Sequence, residues 1–258
     1  MEELFNKILG SMKKNNTCAV ATVVSSRGSA PRKIGAKMVV FGDGSIEGSI
    51  GGGGLEKLVM ADAREALKRG RSFLKSYSLD RRSGLQVCGG KVSIFIETVV
   101  PDKRLVIAGA GHIGLALSLI AKLLGFNVVI VDNRRDFARK ERFPHADRVI
   151  RGPYQEAIKK IRPDKNTSIV IVTHGHAYDA DSLEAALKTP AGYIGMIGSA
   201  AKIDFVFKTL LKKGFKQAEL RKVHSPVGLK IGAQTPAEIA VAIAAQLIQA
   251  QKRRAACL

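Results

Sequence analysis

The stretch from Arg104 to Asp132, RLVIAGAGHIGLALSLIAKLLGFNVVIVD, limits what this chain can fold into more than any other. An apolar run, Leu105 to Ala108, leads into G-A-G-H-I-G, which sets Gly109, Gly111 and Gly114 at a familiar spacing. An apolar helical pattern follows over 113–124, and a second apolar run, Val128 to Val131, ends on Asp132. Strand, glycine turn, helix, strand and acid in this order form the context that gives the glycines meaning. Gly109 permits the tight turn, Gly111 lets main chain approach a phosphate, and Gly114 lets the helix pack on the strand. The helix start then offers free N–H groups and a partial positive charge to an anion. Asp132 stands roughly 20 residues beyond the first glycine, where an acid accepts from ribose hydroxyls. The segment predicts a Rossmann βαβ unit with a nucleotide-like ligand at its turn.

The rest of the second half continues the alternation. Strands are predicted at Arg148–Ile150, Ser168–Thr173 and Tyr193–Ile197. Helices are predicted at Tyr154–Ile161, Ala180–Lys188, Ala201–Lys213 and Pro236–Gln251. Thr235, Pro236 and Glu238 form an N-terminal capping signature for the last of these. Such alternation implies a doubly wound parallel sheet. The first half reads differently. A helix over Leu4–Lys14 precedes strands at Cys18–Ser25, Ala36–Phe41 and Ser45–Ile50, with a hairpin signal at Gly42-Asp43-Gly44. Glycines 51 to 54 open a helix, Leu55–Lys68, which Gly70 ends, and Ser72–Leu79 and Val92–Val99 make a further strand pair. The expected architecture is α/β: a Rossmann-like parallel sheet over 101–258 and a smaller α+β domain over 1–100, with the seam at Pro101-Asp102-Lys103.

Length and composition bound the rest. A chain of 258 residues with 46% hydrophobic residues supports a normal core. No apolar stretch reaches the ~18 residues of a membrane span. The N-terminus reads as an amphipathic helix and not a signal peptide. The three cysteines, Cys18, Cys88 and Cys257, are scattered, with no disulfide framework or zinc spacing, which fits a reducing cytoplasm. A formal net charge of +20 points to an anionic partner or to a solvated basic surface. Nucleic acid is disfavoured: the basic residues are spread along the chain, aromatics are 5% with no Trp, and no helix-turn-helix or zinc-finger spacing is visible. A phosphorylated cofactor or an acidic protein surface stays open. A homodimer is expected on frequency alone.

Ligands of open α/β sheets sit at the carboxyl ends of the strands. Gly109–Gly114, Thr173-His174-Gly175-His176 and Gly198-Ser199 should converge there, with Asp132 at a fourth strand end. On an extended backbone His174 and His176 would point the same way, as a metal pair, an acid–base pair, or one buried and one exposed histidine. His112 either flanks the ligand or covers the helix end. After Asp132 comes Asn133-Arg134-Arg135, and the two residue types pull apart: an acid favours a free 2′-hydroxyl, whereas arginine accommodates a phosphate. In the first half, Gly51, Gly52 and Gly53 ahead of Glu56 form either a second anion nest or a close backbone crossing. Arg27, Arg32 and Lys33 around Ser29-Ala30-Pro31 either grip a phosphate or carboxylate or belong to a solvated loop. Cys88, in Q-V-C-G-G-K, is either a reachable thiol, a soft ligand for metal or sulfur, or a small turn residue.

Taken together, these segments resemble the xanthine dehydrogenase accessory protein (XdhC/CoxI) family nearly end to end. The resemblance rests on R-G-S-A-P-R-K-I-G-A-K-M, G-S-I-G-G-G-G-L-E, C-G-G-K-V, G-A-G-H-I-G…V-D-N-R, T-H-G-H-A-Y-D-A-D-S-L-E-A-A-L, Y-I-G-M-I-G-S and S-P-V-G-L-K-I-G-A-Q-T-P-A-E-I-A. It implies a cytoplasmic maturation chaperone, an accessory protein more than a turnover enzyme, and no catalytic residue is singled out. Such a protein binds molybdenum cofactor (molybdopterin), supports its sulfuration with a sulfur-donating desulfurase, and passes it to a xanthine dehydrogenase-type molybdenum hydroxylase. Some family members carry Cys in the glycine-rich motif before the helix; here that place holds Gly54, which leaves Cys88 as the thiol for a molybdenum contact. NAD(P) or another nucleotide in the Rossmann site, with an NAD(P)- or flavin-dependent oxidoreductase activity, is the alternative.

Overall fold

A computed structural model describes residues 1–14, 16–28, 32–79 and 90–256. Ser29, Ala30, Pro31, Cys88 and Cys257 lie outside the described residues. The chain divides into two compact units, one over Met1–Pro101 and one over Asp102–Arg253.

The first unit runs α1 (Glu2–Lys13), β1 (Cys18–Arg27), β2 (Lys37–Phe41), β3 (Ile46–Gly48), α2 (Gly53–Arg69), β4 (Phe73–Leu79) and β5 (Gly90–Val99). Its sheet has the order β3-β2-β1-β5-β4, and every pairing is antiparallel. The period-2 alternation of strand β1 divides its side chains between two helices. Ala19, Ala21 and Val23 pack with Leu55, Val59, Ala63 and Ala66 of α2. Cys18 and Val20 turn to the other face and meet Ile8 of α1. Cys18 is fully buried, and burial pushes its thiol above the usual range, so it behaves as a small hydrophobe. Gly44 closes the β2–β3 hairpin at φ +88°, in the left-handed region, while the Asp43 carboxylate accepts from the Ser45 N–H at 2.9 Å.

The second unit runs β6 (Arg104–Ala108), α3 (His112–Leu123), β7 (Asn127–Asp132), β8 (Arg148–Arg151), α4 (Tyr154–Ile161), β9 (Thr167–Ile171), α5 (His176–Leu187), β10 (Tyr193–Met196), α6 (Ala200–Lys212), the short α7 (Gln217–Leu220) and α8 (Pro236–Ala256). All strands are parallel in the order β10-β9-β6-β7-β8, the doubly wound pattern with its switch point beside β6. Alternate residues again serve opposite layers. Leu105 and Ile107 of β6 join Leu117 of α3 and Ile243 of α8, whereas Val106 and Ala108 join Ile158 of α4 and Leu183 of α5. The α8 capping box forms as expected: Thr235 Oγ1 accepts from the Glu238 N–H at 3.3 Å, and Glu238 Oε2 accepts from the Thr235 N–H at 3.0 Å. Among the described residues no helix is long and apolar enough to cross a membrane.

One expectation fails locally. His174 and His176 do not share an extended strand. Strand β9 ends at Ile171, Gly175 caps α5, and His176 is already helical. The helix begins four residues earlier than the Ala180 expected, because Thr173 and Asp179 tie its first turn to the strand end.

Candidate functional site

The turn after β6 is shaped by close contacts on one side and space on the other. Gly109 takes φ +125°, donates its N–H to Val131 O at 2.8 Å, and leaves no room for a Cβ against the Val172 carbonyl. Gly114 likewise lies against the Gly109 carbonyl, which brings α3 onto the strand. At Gly111 the situation reverses: a Cβ there would meet nothing within 4 Å. Gly111 is also the N-cap of α3, and no side chain caps that helix. His112, the first helical residue, is exposed. The first turn of α3 therefore offers main-chain donors and the positive end of the helix dipole toward open space.

Asp132 ends β7 beside this turn and is 0% exposed. Its Oδ2 accepts from the Ala110 N–H at 2.7 Å and from Arg134 Nη2 at 2.8 Å. Its Oδ1 accepts from the Arg134 N–H and from Arg134 Nε, each at 2.9 Å. Burial pushes the carboxyl pKa up, but the Arg134 fork and the two main-chain donors outweigh it and hold the group below the usual carboxylate range. Arg134 is held in turn by Phe137, whose ring centre lies 3.7 Å from the guanidinium carbon.

Next to this pair, a cleft of about 380 Å³ opens past the ends of β7 and β8 against the starts of α4 and α5, lined by Asn133, Gly152, Tyr154 and Tyr178 among others. Two of its lining rings, Tyr154 and Tyr178, lie 5.8 Å apart, and His174 lies 4.8 Å from Tyr178. The Asn133 Oδ1 atom is buried without a hydrogen-bond partner. Burial and the nearby Asp132 charge push the Tyr154 hydroxyl pKa well up, so it stays protonated.

The Thr173 loop is held from below. Thr173 Oγ1 donates to Asp179 Oδ1 at 2.6 Å, and the other Asp179 oxygen pairs with Lys202 Nζ. Asp179 is 0% exposed, so this ion pair ties the end of β9, the first turn of α5 and the first turn of α6 together. Ser199, the N-cap of α6, accepts from the Lys202 N–H at 3.3 Å, and Gly198 precedes it. Sequence reading singles out Thr173, His174, Gly198 and Ser199 but passes over Asp179 and Lys202. The available signal was a charged residue in each first helical turn behind a small-residue loop.

In the first unit, the Gly51–Gly53 loop is engaged by its own helix. Glu56 Oε1 accepts from the Gly52 N–H at 2.9 Å, the Ile50 N–H at 3.1 Å and Ser49 Oγ at 2.7 Å. These bonds outweigh the cost of partial burial and hold Glu56 below its ordinary value. Arg32 is exposed beside the undescribed residues 29–31. Among the described residues no group of three His, Cys, Asp or Glu side chains is placed to hold a metal ion.

Comparison with known proteins matches residues 105–247 to the XdhC Rossmann domain and residues 11–78 to the XdhC and CoxI family. The chain is 34% identical over 253 residues to the uncharacterized protein YqeB of Escherichia coli K12, covering 95% of this chain and 46% of that protein. It is 32% identical over 161 residues to a probable xanthine dehydrogenase subunit of Bacillus subtilis, covering 62% of this chain and 47% of that one. It thus spans about half the length of these curated relatives. A crystal structure described as a xanthine dehydrogenase from Bacillus halodurans superposes with a TM-score of 0.54 at 24% identity, covering 98% of this chain and 96% of that one, and so shares the fold. With its Rossmann domain matched over more than half its length, the chain belongs to the XdhC and CoxI family.

Proposed function

We propose that this chain is a maturation factor for a xanthine dehydrogenase-type molybdenum hydroxylase and that it binds molybdenum cofactor. The observation that carries this reading is the uncapped start of α3, with open space at Gly111, at the carboxyl edge of a parallel sheet. That cradle fits the phosphate of the cofactor. The main-chain N–H groups of Gly111 and His112 would hold it, with the Arg134 guanidinium adding charge. When bound, the cofactor supplies the redox-active metal; the chain's part is to bind it, orient it and shield it. Cys88 is the thiol proposed to touch the molybdenum or its sulfur, and a sulfur-donating desulfurase and the recipient hydroxylase are the proposed partners. A dehydrogenase using NAD would need an acid free to take ribose hydroxyls, and the acceptor positions of Asp132 are already taken.

The test is native mass spectrometry of the full chain made in a host that produces the cofactor, followed by transfer to an apo-hydroxylase. Near one cofactor per chain and recovery of hydroxylase activity are the expected results, with weaker retention in Cys88→Ser. Protein that purifies without cofactor and activates nothing would overturn the proposal.

A further inference from the structure

We infer that Arg134, and not Asp132, is the ligand-facing group at the end of β7, so the site reads a phosphate monoester there and not a ribose diol. This rests on the α3 turn being a phosphate seat and adds which chemistry lies beside it. An ionised carboxylate offers about four acceptor positions. Asp132 uses two on each oxygen, all toward its own chain, and none of its surface reaches solvent. A ribose hydroxyl could bind it only by displacing a charge-assisted bond.

Arg134 is arranged the other way. Its Nε–Nη2 edge is committed to Asp132, Phe137 backs one face, and the side chain keeps 28% exposure. The Nη1 end remains to donate outward. Because Asp132 Oδ2 bonds both Ala110 N at 2.7 Å and Arg134 Nη2 at 2.8 Å, the guanidinium sits within two hydrogen bonds of the glycine turn. Two features nearby extend the same polarity. Arg135 is exposed, and Arg142 lies 5.3 Å from the Phe137 ring with its Nε buried and unpartnered. Asn133 Oδ1, also buried without a donor, lines the adjoining cleft and suits an N–H of a flat heterocycle.

Calorimetric titration of the full chain with adenosine 5′-monophosphate, its 2′-deoxy form and adenosine 2′,5′-bisphosphate tests this. The first two should bind within about twofold of each other, and the bisphosphate about tenfold tighter, the worth of one charge-assisted contact. Inorganic phosphate should compete with the bisphosphate. Arg134→Ala should abolish the bisphosphate advantage and create a preference for the ribose over the deoxyribose form. Asp132→Asn, a near-isosteric change, keeps the test available should Arg134→Ala not fold, and should retain the bisphosphate advantage. A tenfold preference of the wild type for the ribose form, a bisphosphate no tighter than the monophosphate, or no binding of any of the three would overturn the inference. Cofactor retention, measured separately by mass, reports on the parent reading alone.

Discussion

Each unit opens a helix with a glycine turn, and each turn holds a carboxylate of the chain itself, yet the outcomes differ. In the first unit the acid, Glu56, belongs to the helix that the turn opens. It reaches back to Gly52, Ile50 and Ser49, so the main-chain donors of the turn ahead of the helix are turned onto the chain's own acid. In the second unit the acid, Asp132, comes from the next strand. It takes the Ala110 N–H, one residue before the cap, and leaves the first turn of α3 without a side-chain cap. The same donor–carboxylate chemistry therefore closes one turn and braces the other from behind. What decides is where along the chain the acid is attached.

The sharpest way to break the contrast is Gly109→Ala. Its Cβ would strike the Val172 carbonyl, and both neighbours are strand ends, so a loss of about 3 kcal/mol in urea unfolding is expected. Asp132→Ala should cost nearly as much, about 3 kcal/mol, at the low end for a broken buried pair because Arg134 keeps partial exposure. A loss under about 1 kcal/mol would mean the carboxylate does not brace the turn. Glu56→Gln should cost less, about 1–2 kcal/mol, since one amide oxygen remains to accept, and it should leave nucleotide binding to the second unit unchanged. The smallest stability effect is expected of Gly111→Ala, within about 0.5 kcal/mol, because φ −72° suits alanine and the space is open. Its phosphate affinity should nonetheless fall, and unaltered phosphate affinity would show that the α3 start is not the seat.

Acid should act on both turns in the same direction. Asp132 and Glu56 are held below their ordinary values, so their contribution is present above the unfolded carboxylate values near 4. It is lost as pH falls through the folded values. Unfolding free energy followed from pH 6 to pH 2 should decline, and Asp132→Asn and Glu56→Gln should each flatten that decline. A decline as steep in both variants as in the parent would place the acid-sensitive groups elsewhere.

Much of the fold was legible because its signals are local. Helix α4 at Tyr154–Ile161 and the Thr235–Glu238 box follow from short-range periodicity and capping alone. Asp132 was found by its offset from Gly109, but its orientation was not, since nothing in the spacing says whether a carboxylate faces a guest or an arginine two residues on. The Asp179–Lys202 pair joins helices separated by a strand, and no motif spacing marks an acid and a lysine so placed as partners. The His174-x-His176 pattern misled because period-2 logic holds only while the backbone stays extended, and here Gly175 starts a helix. Cys88 and Ser29 stand outside the described residues, and their proposed roles rest on the family resemblance.

The ring ladder beside the cleft has a practical consequence. The chain has no tryptophan and four tyrosines, and two of those, Tyr154 and Tyr178, line the cleft next to Asn133. Its ultraviolet emission is therefore phenolic, unmasked by indole, and about half of the emitters border the space where a heterocycle would lodge. Occupancy should quench that light, which gives the unlabelled protein its own optical gauge of filling and emptying.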